Sequence, residues 1–316
     1  MRALEVEPRG PFDLHLTLVG TEPAFPSIYD GLYLWRLVRT SDGSLVAMRV
    51  RQVGPLEEPL LEVEFLSGPL SDEEAEEALS ALCRFLCVHD DLSGAHAKME
   101  ADPLLRPISR ALRGMMPWTA FSPLEGLFDA IIFQQISLRA AFSIIRKFVI
   151  GLGDAIEVCG KKLYAFPTPE AIAGASLERL RSLGLSKNKA SYVLNLARSV
   201  LEGFDPGDLQ DKPVGVVVNE LVKLKGIGRW TAELFMATAL KRWEVVPADD
   251  LGIRRAFASI YGLSEPKRDE IRAFAARWGR DAWPIAYSML VWNERRERVL
   301  TGQKPASRTR DKANAF

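Results

Sequence analysis

The stretch 221–257 constrains the possible fold of this 316-residue chain most, because it joins two helical patterns through a two-glycine turn. The first pattern ends near Leu224, Gly226-Ile227-Gly228 forms the turn, and an apolar helix pattern runs from Trp230 to Lys241. Glycine tolerates positive φ and has no Cβ, so the turn can present consecutive backbone N–H groups to one ligand. A helix N-terminus after such a turn suits a phosphate. The stretch predicts a phosphate-binding hairpin or, in the plainer interpretation, a stop signal between two core helices.

Two carboxylates follow the second helix of this hairpin. The chain runs extended through Val245-Val246-Pro247 and then places Asp249 and Asp250 at the start of a third helix. Asp250 lies 22 positions after Gly228. Aspartate is a good N-cap, and the partial positive charge of a helix N-terminus keeps a carboxylate ionised. The pattern therefore predicts an anion held at a helix start.

The hairpin, its apolar flanks and the aspartate together resemble the helix-hairpin-helix DNA glycosylase superfamily. Within it, residues 115–295 look most like the AlkA-type 3-methyladenine DNA glycosylases, and FPTPE at 166–170 with a following L-x-x-L-G turn fits the corresponding place. The first hundred residues match only loosely. The resemblance implies a DNA glycosylase that hydrolyses the N-glycosidic bond of alkylated bases, such as 3-methyladenine or 7-methylguanine, in duplex DNA and so initiates base excision repair.

The expected fold class is α+β. Residues 1–90 predict an antiparallel sheet with a helix on one face, because PFDLHLTL, GLYLWRLVR, SLVAMRVRQVG and LLEVEFLS read as strands and Ser71 opens an amphipathic helix. Residues 91–120 predict a linker with short helices, and residues 121–300 an all-helical core. The tail, 301–316, is polar, basic and without periodicity, so we expect it to be disordered.

Composition narrows the class of protein without naming a function. Net charge is zero, but residues 1–100 carry 8 Lys and Arg against 18 Asp and Glu, and the remainder carries 33 against 23. The basic part can therefore bind a polyanion that the acidic part repels. Cys83 and Cys87 lie four positions apart with Cys159 far away, and the three histidines are widely separated, so neither a disulfide framework nor a metal site is predicted. No apolar run has the length of a membrane span, so we expect a cytoplasmic protein, nucleoid-associated if prokaryotic.

For the chemistry, the resemblance assigns the catalytic carboxylate to Asp250, with Asp249 as its neighbouring alternative. Cleaving the bond between base and deoxyribose develops positive charge on the sugar, which an anion stabilises. Superfamily members that also cut the backbone carry a lysine two positions after the second glycine. This chain has Trp230 there, and tryptophan cannot form a Schiff base, so a water-using enzyme without lyase activity is implied.

A base-excising enzyme must flip its target into a pocket and fill the hole left in the duplex. The resemblance places Trp230, Trp292, Gln134 and Leu234 in that pocket, and Gln135 as the wedge. Leu234 stands where relatives have an aromatic residue, and Gln135 where some have leucine. Each tryptophan could instead be core, and the two glutamines could merely satisfy backbone groups at a helix end.

DNA phosphate contacts are expected at the hairpin, from Lys225, Gly226, Ile227, Gly228 and Arg229. The implied partner is duplex DNA containing damaged bases, bound by a monomer. No cofactor is required, although the superfamily allows a monovalent cation at the hairpin carbonyls.

Three alternatives stay open at this point. One is an oxidised-purine DNA glycosylase, since PFDLHLTL also resembles those enzymes, although the missing lysine counts against it. The second is a non-catalytic protein that binds damaged DNA. The third is an unrelated helical protein in which the two-glycine turn is only structural.

Overall fold

The N-terminal part of the chain forms an antiparallel sheet, and the rest is helical, as the α+β prediction requires. The computed structural model describes residues 2–21 and 24–301. The predicted disordered tail lies, apart from Thr301, outside the described residues.

The boundaries of the elements are as follows. The strands are β1 (Arg2–Val6), β2 (Ile28–Tyr29), β3 (Leu34–Arg39), β4 (Leu45–Gln52), β5 (Leu61–Phe65), β6 (Ala155–Val158) and β7 (Lys161–Tyr164). The helices are α1 (Leu14–Thr21), α2 (Asp72–Leu86), α3 (Ser93–Ala101), α4 (Arg106–Ala111), α5 (Pro123–Phe133), α6 (Leu138–Leu152), α7 (Pro169–Ala173), α8 (Leu177–Ser182), α9 (Lys187–Leu201), α10 (Val214–Leu221), α11 (Arg229–Thr238), α12 (Leu251–Tyr261), α13 (Arg268–Ala276) and α14 (Ala282–Thr301).

The five-stranded sheet has the order β1-β5-β4-β3-β2, with every neighbouring pair antiparallel. Burial alternates along β5, which shows one face against the core and one toward solvent. Helix α2 packs against β4 and begins at Ser71 with a capping box, in which Ser71 accepts from the Glu74 N–H and the Glu74 carboxylate accepts from the Ser71 N–H.

The strand predicted for PFDLHLTL, residues 11–18, is wrong, because most of this stretch belongs to helix α1. The Asp13 carboxylate accepts a hydrogen bond from the Leu16 N–H at 2.7 Å, as an N-cap does. Leu14, Thr17 and Leu18 are all buried, at the helical spacing of three and four, and α1 packs against α14. A short run of alternating residues fits both periodicities, and the cap decides for the helix.

Two buried clusters divide the helices into halves. The first combines the sheet, α2, α3 and α4 with α12, α13 and α14, so the C-terminal helices fold back onto the N-terminal region. The second consists of helices α5 to α11. The segment from α11 to α12 connects the halves, and Asp249 and Asp250 lie in it. This arrangement puts the carboxylates at the boundary between two groups of packed helices.

A buried ion pair fixes α5 to the sheet. Arg36 on β3 donates to the carboxylate of Glu125 on α5, and both side chains are almost fully buried. Arg36 also donates to Ser27 at 3.1 Å. Breaking a buried pair by removing one partner is costly, so this contact holds the orientation of α5, whose C-terminal end borders the site described next.

Within the described residues, no helix combines the length and apolar character needed to cross a lipid bilayer.

Candidate active site

The predicted hairpin is formed by α10, the turn at 222–228 and α11. Ile227 is buried and donates its N–H to the Leu224 carbonyl at 3.1 Å, which anchors the tip of the turn in the core. Gly228 is the N-cap of α11, and its carbonyl accepts the Ala232 N–H at 3.0 Å as the first bond of that helix. The helix pair is therefore present with the boundaries expected within two or three residues.

The two glycines of the turn serve different structural purposes. Gly226 has a φ of +93°, which disfavours any side chain, and a Cβ there would overlap the ring of Tyr192 on α9. Gly228 has an ordinary φ of −99°, and a Cβ there would meet no atom within 4 Å. Gly226 lets the turn pack onto the protein, whereas Gly228 keeps its outer side open for an approaching ligand.

The start of α11 offers backbone donors to that open side. Among the described residues, no side chain caps this helix N-terminus, so its first N–H groups keep their hydrogen-bonding capacity. Lys225 and Arg229 are exposed beside them. The Arg229 guanidinium is held by the Glu233 carboxylate at 2.8 Å, which leaves Lys225 as the freer cation. Together these groups form a site suited to a phosphate.

Asp250 occupies the N-cap of α12, as predicted. Its Oδ1 accepts hydrogen bonds from the N–H groups of Gly252 at 2.9 Å and Ile253 at 3.1 Å, and its Oδ2 accepts from Trp230 Nε1 at 3.2 Å. Three donors at the helix N-terminus therefore fix the orientation of this carboxylate. Trp230 and Asp250, 20 positions apart in sequence, are thus in direct contact.

Asp249 turns the other way and belongs to an ion-pair network. Its carboxylate accepts from Arg272 at 2.7 Å and pairs with Arg268 at 3.0 Å, both on α13. Arg272 also donates to buried Glu233 on α11. The neighbouring aspartates therefore have different roles. Asp249 fixes the loop to α13 and α11, and Asp250 faces the space between the halves.

That space is a cavity of about 400 Å³, large enough for a nucleobase. Its lining combines apolar side chains with a few charged ones and comes from both halves of the molecule. The lining residues are Trp118, Phe133, Ile136, Ser137, Leu138, Phe142, Trp230, Leu234, Thr238, Pro247, Asp250, Leu251, Gly252, Ile253, Arg255, Trp283, Tyr287, Leu290, Val291, Glu294 and Arg295.

Aromatic rings form two groups in the cavity wall. Phe133 lies at the centre of one group, edge-on to Trp118 at 5.8 Å and to Phe142 at 5.9 Å. Trp283 and Tyr287, on α14, form the other group, with ring centroids 5.3 Å apart. Such rings can stack on a planar, electron-poor base.

Trp292, predicted as a pocket wall, does not line this cavity; it packs against the cluster shared by the sheet and the C-terminal helices. Helix geometry gives the reason. Nine residues correspond to two and a half turns, so Trp283 and Trp292 lie on opposite sides of α14. Trp283, Tyr287 and Leu290 share the cavity face, which makes Trp283 the tryptophan that the pattern WPIAYSMLVW contributes to the site.

Gln134 also lies outside the cavity lining. It caps the end of α5, and its Nε2 donates to the Gly226 carbonyl at 2.8 Å and to Thr231 Oγ1 at 3.0 Å. Its place is therefore the base of the hairpin, because these two bonds hold the amide away from the cavity. Gln135 follows with a φ of +52° and is exposed, and its role as a wedge stays a prediction.

The residues that sequence reasoning missed are those whose neighbours come from distant parts of the chain. Leu234 and Trp230 were predicted and do line the cavity. Phe133 sits one position before the predicted glutamines and could have been suggested by that proximity. Trp118 had no local signal, and Glu294 was hidden in a run of charged residues that reads as a solvated helix face.

Comparison with known proteins agrees with this geometry. The model of the HhH-GPD superfamily base excision DNA repair protein matches residues 128–281. The chain is 27% identical over 245 residues to DNA-3-methyladenine glycosylase of Bacillus subtilis (strain 168), covering 76% of this chain and 80% of the relative. It is 31% identical over 160 residues to the alkylbase DNA glycosidase-like protein mag2 of Schizosaccharomyces pombe, covering 50% and 71%.

A solved structure is similar over nearly the whole length. The 3-methyladenine DNA-glycosylase from Archaeoglobus fulgidus superposes with a TM-score of 0.81 at 29% identity, covering 92% of this chain and 97% of that one. The fold and site thus define a DNA repair protein built around a helix-hairpin-helix. The chain belongs to the HhH-GPD superfamily of base excision DNA repair proteins, and the resemblance drawn from residues 115–295 is confirmed.

Proposed function

We propose that the protein is a DNA glycosylase that removes alkylated bases, such as 3-methyladenine or 7-methylguanine, from duplex DNA and so initiates base excision repair. The observation that carries the proposal is the contact between Asp250 and Trp230 at an aromatic-walled cavity beside the hairpin. The relatives named above as 3-methyladenine and alkylbase glycosylases support the same substrate class.

The site explains how such a base would be held. Alkylation at a ring nitrogen makes a purine cationic, and rings of Trp230, Trp283 and Tyr287 would stack on that cation more strongly than on a neutral base. The hairpin would grip the flanking phosphate through the α11 N-terminus and Lys225. A flipped nucleotide would then place its sugar over Asp250, at the edge of the cavity.

Asp250 would act as a fixed negative charge. Departure of the base leaves positive charge on the sugar, and a carboxylate already oriented by three donors needs no rearrangement to stabilise it. Because the electron pair of the broken bond neutralises the cationic alkylated base, the base departs neutral without an added proton. Water forms the new bond to the sugar C1′ as the base departs.

We further propose that the reaction stops at base removal, without lyase activity. The position that carries the lysine in bifunctional members is Trp230, whose indole is engaged with Asp250 and offers no amine for a Schiff base.

We propose no required cofactor and a monomeric enzyme, working with DNA in the cytoplasm or at a prokaryotic nucleoid. A monovalent cation at the hairpin would use the Leu224 and Gly226 carbonyls, which already accept one hydrogen bond each and keep one lone pair.

The test is base release from methylated duplex DNA by the wild type, Asp250→Asn and Asp249→Asn. Asparagine is an equally good N-cap, so the Asp250→Asn variant keeps the fold and DNA affinity but loses the charge. We expect its single-turnover release rate to fall by about 10²-fold to 10³-fold. Asp249→Asn should lose stability and retain release. A wild type that binds damaged duplexes and never releases a base would instead identify a non-catalytic damage-binding protein.

A further inference from the structure

A second carboxylate, Glu294 on α14, borders the same cavity as Asp250. A Cβ built on Gly252 would lie 3.0 Å from Glu294 Oε1 and 3.1 Å from Asp250 Oδ1, so both carboxylates flank this one glycine. Its missing side chain lets α14 bring Glu294 close to the start of α12. Two carboxylates at one end of a cavity that receives a glycosidic bond are an arrangement known to divide stabilisation and proton transfer between them.

The two carboxylates differ in what holds them. Both oxygens of Asp250 accept hydrogen bonds, which fixes the orientation of this carboxylate. Within the described part of the chain, no hydrogen bond ties the carboxylate of Glu294, which lies exposed at the mouth of the cavity. One anion is therefore immobilised, and the other is available for proton transfer with solvent.

We propose that Glu294 is the general base of the hydrolysis. Its carboxylate takes a proton from the water whose oxygen forms the new bond to the sugar C1′, while the C1′–N bond breaks and its electron pair leaves with the base. The products are the sugar hydroxyl, a neutral free base and a protonated Glu294, which returns its proton to solvent through the cavity mouth. This inference rests on the proposed function and adds to it the residue that activates water.

The electrostatic surroundings suit that task. Loss of hydration and the negative charge of Asp250 raise the pKa of Glu294, while Arg295 and Arg255 offset part of the rise. A base works best when its pKa is shifted toward the operating pH, because it is then ionised and still accepts a proton readily. Arg295 is itself held by the Gly20 carbonyl at 2.6 Å, so this positive charge has a fixed place.

The first experiment compares the wild type with Glu294→Gln in single-turnover base release from methylated duplex DNA across pH 4 to 9. We expect release by Glu294→Gln to be about 10²-fold slower, with unchanged affinity for duplex DNA containing an abasic-site analogue. The wild-type rate should fall as pH drops through the raised pKa of Glu294, because protonation removes the base. That acidic limb should be absent in the variant.

The second experiment separates chemistry from structure. Release by Glu294→Ala should rise with added formate, which can replace the missing carboxylate, and release by Asp250→Asn should not. Glu297→Gln, an exposed glutamate three residues further along the same helix, is the matched control and should behave as wild type.

Two results would overturn the proposal. One is a wild-type rate in Glu294→Gln. The other is a slow Glu294→Gln that keeps the acidic limb, together with a Glu294→Ala that does not respond to formate. A wild type that releases no base at all would instead defeat the proposed function itself.

Discussion

The hairpin and the cavity lie side by side, yet they present different chemical groups to a ligand. The hairpin offers backbone: an uncapped helix N-terminus, an open glycine and a turn that packs only because Gly226 lacks a side chain. The cavity offers side chains, namely aromatic rings and two carboxylates gathered from both halves of the molecule. A phosphate is the same at every nucleotide, so backbone groups suffice for it, whereas a damaged base must be distinguished by shape and charge.

This difference implies that substitutions in the two regions affect different steps, DNA binding in one and base release in the other. Damage to the hairpin should weaken DNA binding and leave the chemistry of bound DNA unchanged. Damage to the cavity should slow base release and leave affinity largely unchanged. Gln134 and the network of Glu233, Arg272 and Asp249 connect the two regions, so the sharpest tests of either region leave these contacts intact.

The largest loss of stability is expected for Gly226→Ala. A side chain at a φ of +93° costs about 1–2 kcal/mol, and overlap with the Tyr192 ring adds to that. We expect the free energy of unfolding to fall by about 2–3 kcal/mol and DNA affinity by at least about tenfold. Denaturant unfolding and fluorescence-anisotropy titration measure these quantities.

Gly228→Ala is the matched partner of that substitution. Its backbone is unstrained and its Cβ meets no atom, so its stability should change by less than about 1 kcal/mol while the added methyl group obstructs the phosphate. Equal stability losses in the two variants would show that Tyr192 does not determine the conformation of the turn.

The same contrast explains which parts of the molecule could be predicted from sequence. The hairpin and Asp250 were predictable because turn glycines, helix caps and short spacings are local signals. The cavity was only partly predictable, because Trp118, Phe133 and Trp283 come together through packing of the two halves. Resemblance and sequence spacing indicated Trp292, whereas the phase of α14 puts Trp283 in the wall.

An intermediate effect is expected for Trp230→Phe, which keeps an aromatic wall and removes the N–H that holds Asp250 Oδ2 at 3.2 Å. A hydrogen bond to a charged group contributes about 1.5–3 kcal/mol, and 3.2 Å is long for such a bond, so the lower end of that range applies and the single-turnover release rate should fall by about tenfold. Affinity for undamaged duplex should not change. Trp292→Phe is the control, since that side chain lies outside the cavity and its variant should release base at the wild-type rate.

The smallest effect is expected for Lys225→Ala. Lys225 is exposed next to the backbone donors of the turn, so it would contribute one screened charge to phosphate binding rather than a buried contact. Affinity at low salt should fall by only a few-fold, and the slope of log affinity against log salt should decrease by about one, as for the loss of a single phosphate contact. The control is Lys162→Ala, an exposed lysine on the β6–β7 ribbon that packs against the sheet. If Lys225→Ala left the salt slope unchanged, the hairpin would bind through its backbone alone, and the contrast between backbone and side-chain recognition would become sharper still.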